Sequence, residues 1–210
     1  NDDKQINEIE GMAQDISNSR QESMILKLRC HILQLITDKQ AQNSKLKIEA
    51  ILTDLAVGIE AIIKDVHCAI MLFDKQSEHL SPVAVPSLPI ELIDSLHKLE
   101  PLDKQSDTLE NTMACLSAGR TLKRKIITDL KLFDNSASEL LKHESYRAAC
   151  SEPVLSSKAK ILATVDFYYK QTGKPDESDL RIIAIASDLL ARLLEPDDSH
   201  TNQGYLPGNI

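Results

Sequence analysis

Tryptophan is absent from this 210-residue chain, and aromatic residues of all kinds make up only 3% of it. That scarcity argues against a paratope-like or base-stacking surface, which needs large flat rings. Basic charge is also short, since 24 Lys and Arg stand against 32 Asp and Glu for a formal net charge of −8. Phosphate backbones are held by basic stripes, so nucleic acid is not an expected partner. No stretch approaches the roughly 20 apolar residues of a spanning helix. The opening NDDKQINEIE has neither the basic nor the apolar region of a signal peptide. We therefore expect no membrane span and a cytoplasmic location. An initiating Met is missing too, from which we expect the chain to be a piece of a longer protein.

Closely spaced cysteines are the next absence. Cys30, Cys68, Cys115 and Cys150 lie far apart and form no C-x-x-C pair, whereas zinc sites and disulfide frameworks rely on short spacings. The pairs Cys30–His31 and His67–Cys68 are chain neighbours whose side chains point in different directions. Buried, reduced thiols are expected, with no metal and no cofactor. The chain carries no G-x-S-x-G, P-loop, H-E-x-x-H or dinucleotide fingerprint. Its six histidines are scattered and suggest no pair with a carboxylate. No enzyme is expected in these residues.

What is present is ordinary globular material, 42% hydrophobic and 27% charged. Ile6, Ile9, Ala13 and Ile16 form one helical seam, and Ile25, Leu28, Ile32 and Leu35 form a second, out of phase with the first. The spacing predicts helices over about 4–17 and 21–41, with a break near Asn18–Ser19. Asn43 or Ser44 is placed to cap a further helix, whose wide stripe of Ile48, Ile51, Leu52, Leu55, Ile59, Ile62 and Ile63 suits a sheet.

The period then changes to that of strands: VHCAIMLFD, LSPVAV, KIITDL, RAACSEPVL and KILATVDFYY, the last two joined by a tight SSKA turn. Pro82 suits an edge or a bulge. Short helices are expected in PIELIDSLHKLE, with proline in its first turn, over 107–118, closed by Gly119 as C-cap, and in NSASELLKHE. A strong terminal helix, DESDLRIIAIASDLLARLLE, starts near Asp176. These patterns predict an α+β fold, a central antiparallel sheet of about five to six strands with flanking helices. Residues 1–20 read as a helical extension, 21–195 as the domain, and 196–210 as a disordered tail.

Several strings in this order resemble those of a GAF domain, in the subtype found beside GGDEF and EAL domains of bacterial cyclic-di-GMP signalling proteins and beside some histidine kinases. AVPSLP (Ala84–Pro89) is similar to that subtype's A-x-P-S-L-P, and YRAACSEPV (Tyr146–Val154) to its L-R-A-C-W-S-x-P-I. Tyr168–Tyr169 stands where the subtype carries a tyrosine pair before a loop, a proline and a last helix. The resemblance spans about 25–195 and implies a non-catalytic sensory module that controls a cyclic-di-GMP enzyme or a kinase.

Departures from the subtype matter equally. Where it carries G-S-C-G-T-A-A, this chain reads ENTMACL, with Glu110, Thr112 and Met113 replacing a glycine, the cysteine and the second glycine. That exchange suggests a filled or reshaped pocket. Some GAF proteins reduce free methionine sulfoxide with a cysteine here, and Cys115 lies three residues beyond that position.

The resemblance places candidate ligand contacts at Thr112, Met113, Cys115, Asp129, Cys150 and Asp166. Asp129 also reads as a strand-end cap, and Asp166 as a residue of either sheet face. Arg120, Lys123, Arg124 and Lys125 form a basic cluster that reads as a solvated loop or as a phosphate holder. Apolar seams on the terminal helices (Ile25, Leu28, Ile32, Leu35, Leu190, Leu194) suggest a homodimer. The alternative reading is a degenerate, ligand-free scaffold for dimerisation or docking.

Overall fold

The computed structural model describes residues 45–102, 113–132 and 141–195, together with helical Ser19, Glu22, Ser23, Ile25, Leu26 and Cys30. The helix expected over 4–17, most of that over 21–41, the tail 196–210, and the candidates Thr112, Leu28, Ile32 and Leu35 lie outside the described residues.

Helix α1 (Lys45–Ile62) buries Ile51, Leu52, Leu55, Ala56 and Ile59 at three- and four-residue spacing. Asp65 turns the chain with a left-handed φ of 56° into strand β1 (Val66–Asp74). Its hairpin partner β2 (His79–Ala84) follows a turn in which the Asp74 carboxylate accepts the N–H groups of Gln76 and Ser77. The β1–β2 register shifts between Ile70 and Met71, and Met71 then faces Pro82. A bulge on an edge strand is where a proline, lacking an N–H, does least damage.

Helix α2 (Ile90–Leu96) begins after Pro89, which occupies the N-cap rather than the first turn. Helix α3 (Ala114–Thr121) corrects the expected boundary: Leu122, with φ 55°, is its left-handed cap, and Gly119 lies inside the helix. A Cβ at Gly119 would stand 3.0 and 3.1 Å from the Leu102 methyls and 3.3 Å from Leu80. Close approach, not chain reversal, is what glycine provides there.

Strand β3 (Lys125–Ile127) is shorter than KIITDL suggests, because Leu130–Leu132 winds into a 3-10 turn. Strands β4 (Ala148–Leu155) and β5 (Ile161–Tyr169) form the second hairpin, closed by the Ser156 N–H donating to the Lys160 carbonyl at 2.8 Å. Helix α4 (Glu177–Leu194) ends the described chain. Its cap is Asp176, whose side chain accepts the Asp179 N–H at 2.8 Å. Asp176→Ala should therefore cost about 1 kcal/mol, read as a melting temperature lower by about 2–4 °C.

The five strands run antiparallel in the order β2-β1-β5-β4-β3. One face carries Cys68, Ile70, Cys150, Val165 and Phe167 against α1 and α4. The other carries Ala69, Met71, Ala149 and Tyr168 against α2 and α3. Helices on both faces explain why β5 is buried over most of its length. Ile25 packs against the α1/α4 core, and Glu22 lies 3.9 Å from Arg181 of α4. Leu190 is fully buried and Leu194 partly so in the same core. They belong to this chain's own interior rather than to an open seam.

Candidate functional site

Asp166 lies near the middle of β5, the central strand, on the face beneath α2 and α3. Register places Ala69 of β1 on one side of it and Ser151 of β4 on the other. Ser151 Oγ donates to one carboxyl oxygen and Thr164 Oγ1 to the other, the latter at 3.0 Å. The residue is only 2% exposed, and among the described residues no cation pairs with it. Burial without a counter-charge pushes its pKa up to about 7, against the pull of the two hydroxyl bonds.

Helix α3 closes over this carboxyl, packing on β3, β4 and β5. It sits close because Ala114, Cys115, Ser117, Ala118 and Gly119, all buried, are small. Met113, at its N-cap, is buried as well. Met113, Cys115 and Asp166 thus share one face of the sheet.

Cys150 departs from that set. It stands opposite Phe167 and packs with α1 and α4, so the sheet separates it from Asp166. The correction follows from parity: Ser151, not Cys150, shares Asp166's side. Asp129 is half-buried, and its carboxylate accepts the Lys131 N–H at 2.9 Å, the local turn role expected of it. The two arginines of the basic cluster tie the chain together. Arg120 donates to the carbonyls of Leu102 at 3.2 Å and Pro101 at 3.1 Å, and Arg124 pairs with Glu152.

Sequence reasoning passed over an aromatic group at the end of this face. The rings of Tyr146 and Tyr168 lie 5.6 Å apart, and His67 meets Tyr146 edge-on, with Nδ1 2.6 Å from the hydroxyl. Burial lowers the His67 pKa, opposed by Glu60. Glu60 of α1 accepts the Cys68 N–H at 2.8 Å and the Ser87 hydroxyl. The serine of AVPSLP therefore ties its loop to α1, and the serine of YRAACSEPV holds Asp166. Both strings contained the signal; the partners across the sheet did not show in it.

Cys68, Cys115 and Cys150 are all buried. Desolvation pushes their thiols up, Cys150 to about 12 despite the nearby Arg124. Cys30 alone is exposed. Ellman's reagent should titrate one thiol per native chain quickly and the other three only slowly or after denaturation. Among the described residues, no group of three His, Cys, Asp or Glu is placed to hold a metal ion, and no helix is long and apolar enough to cross a membrane.

No family model matches the chain. Among solved structures, one described as the structure of the GAF domain superposes with a TM-score of 0.60 at 13% identity, covering 85% of this chain and 92% of that one. The fold is that of a GAF domain. A second GAF-fold neighbour is the free methionine-R-sulfoxide reductase of Neisseria meningitidis in complex with its substrate. Its TM-score is 0.55 at 14% identity, over 78% of this chain and 85% of that one. Identities this low speak for the fold alone. By sequence, 118 residues are 26% identical to the methyl sulfide methyltransferase-associated sensor of Methanosarcina acetivorans. The match takes in 55% of this chain and 11% of that much longer protein. The chain thus shares its fold with an enzyme and part of its sequence with a stretch of one sensor.

Proposed function

We propose that this chain is a GAF-type sensory module that performs no chemistry of its own and regulates an activity housed elsewhere. The observation that carries this reading is the state of the face beneath α2 and α3. Its cysteine is buried and held protonated, and its carboxyl is covered and bonded to two hydroxyls, so neither presents a nucleophile. Likeness to a stretch of a larger sensor supports the regulatory role. AVPSLP, YRAACSEPV and the tyrosine pair support a cyclic-di-GMP synthesising or degrading enzyme, or a histidine kinase, as the output.

A small molecule would enter over the same face, beside Met113, Cys115 and Asp166. The helical layer, where Leu26 is 61% and Val57 50% exposed, would pair with a second copy. The scaffold alternative is favoured by one observation, the closeness with which α3 fills the space above Asp166.

A thermal-shift screen separates the two readings. Nucleotides, amino acids, small acids and methylated sulfur compounds should be tested, the last because of the sensor relative. Ligand binding to the folded state must raise the melting temperature by mass action. The sensory reading expects one compound class to do so; no shift across the set sinks it in favour of the scaffold. Sedimentation should show a dimer at tens of micromolar that Leu26→Glu with Val57→Glu converts to monomer.

A further inference from the structure

We propose that Asp166 makes α3 a charge-gated cover: the helix stays seated while the carboxyl is neutral and lifts when the carboxyl is ionised. The inference stands on the burial and packing of Asp166 and does not require that a ligand exist.

A carboxyl this deeply buried has two ways of being tolerated, a counter-charge or a proton. Ser151 and Thr164 supply hydroxyls, which are neutral and can turn to donate or accept. Among the described residues, the remaining groups around it supply no positive charge. From α3 comes the Cys115 thiol, from β5 itself the Tyr168 phenol, and from β1 and β4 the small Ala69 and Ser151. Cys68 and Cys150 feel its charge through the sheet from the opposite face. Arg120 of α3 reaches towards the carbonyls of Pro101 and Leu102 instead. Ionisation therefore has to be met by water, and water reaches Asp166 only when something above it moves.

Among the described elements, helix α3 is the one whose displacement would uncover Asp166. It spans eight residues and is the cover over β4 and β5 on this side, so its opening exposes Asp166 without breaking the sheet. Opening of α3 below the cost of global unfolding is the event that the thiol labelling below reads. Once open, the carboxyl loses its proton to solvent and returns to the ordinary carboxylate range.

The sign follows. The seated state holds the proton up to about pH 7, and the open state releases it near 3.8. Opening should grow about tenfold per pH unit between those limits and level off above them. Any signal that places a cation beside Asp166, or changes its protonation, would shift the population of seated and lifted α3.

Cys115 is the reporter. Peptide-resolved labelling of its thiol by 4,4′-dithiodipyridine should be followed from pH 4 to 8, each rate divided by that of the unfolded chain at the same pH. The wild-type protection of Cys115 should fall about tenfold per unit up to about 7 and then stay level. Cys115 should react ahead of Cys68 and Cys150 on the opposite face. Asp166→Asn should abolish the pH dependence. Simultaneous reaction of all three thiols would mean that only global unfolding uncovers Asp166, and an unchanged profile in Asp166→Asn would mean that its charge is irrelevant. Either result overturns the proposal. Should Asp166→Asn fail to fold, Ser151→Ala decides. Losing a donor to the charged form must move the levelling point to higher pH, and an unmoved point overturns the gate.

Discussion

Replacing Phe167 by alanine is expected to lower the unfolding free energy by about 3–5 kcal/mol. Phe167 is fully buried on the central strand, facing α1 and α4. Its cross-strand neighbours are Cys68 and Cys150. Both are small and held by the sheet, so neither can swing into the space a phenyl ring leaves. The loss is therefore of transfer free energy plus an unfilled cavity. At about 2–4 °C per kcal/mol for a domain of this size, the melting temperature should fall by roughly 10 °C. Urea denaturation should show a lower midpoint with an unchanged slope. Ile90→Ala, at a side chain 68% exposed, should change stability by no more than about 0.5 kcal/mol. Equal effects from the two variants would mean that the core lies elsewhere.

The second large effect is on the pH profile of stability. The folded-state pKa of Asp166 is raised from 3.8 to about 7, so the folded chain binds the proton more tightly than the unfolded one. The stability this contributes is complete below about pH 4 and is lost progressively as pH rises through about 7. The size is on the order of 4 kcal/mol. Asp179, raised to about 6 by burial and by Asp176, acts in the same direction, with a smaller effect because it is half-exposed. His67, lowered by burial, acts oppositely, since stability is lost as pH falls through its folded value. The wild-type profile sums all three, and subtracting the Asp166→Asn profile isolates the first. Chemical denaturation at pH 4.5 and 8 should show the variant gaining several kcal/mol on wild type at the higher pH. A difference that does not vary with pH would mean that Asp166 is hydrated in the folded chain.

The long elements were legible because their periods are strong. Helices α1 and α4 and strands β1, β4 and β5 fall where the apolar spacing places them, and Pro82 sits on the edge strand at a bulge. Boundaries were harder where packing overrides local chemistry. Gly119 reads as a helix terminator, yet its missing Cβ makes room for Leu102 and Leu80, a contact between segments that no local pattern encodes. KIITDL reads as one strand, but only Lys125–Ile127 pairs with β4.

For the site, the limit was register. A strand covered on both faces shows no alternation, so the sequence ATVDFYY leaves the side of Asp166 open. Parity within β4 separates Cys150 from Ser151, but only the pairing of Ser151 with Asp166 tells which of them meets the carboxyl. The same holds for His67, Tyr146 and Glu60, whose partners lie 79, 79 and 27 residues away along the chain. Strings such as AVPSLP mark where such ties begin without showing where they end.

The most direct test of the account is turnover by the isolated chain. Incubated with free methionine-R-sulfoxide and excess dithiothreitol, it should form no methionine above the protein-free control. Its buried thiols cannot supply a thiolate at neutral pH. Methionine formation that disappears on Cys115→Ser or Cys150→Ser would contradict the account and make this chain a catalyst.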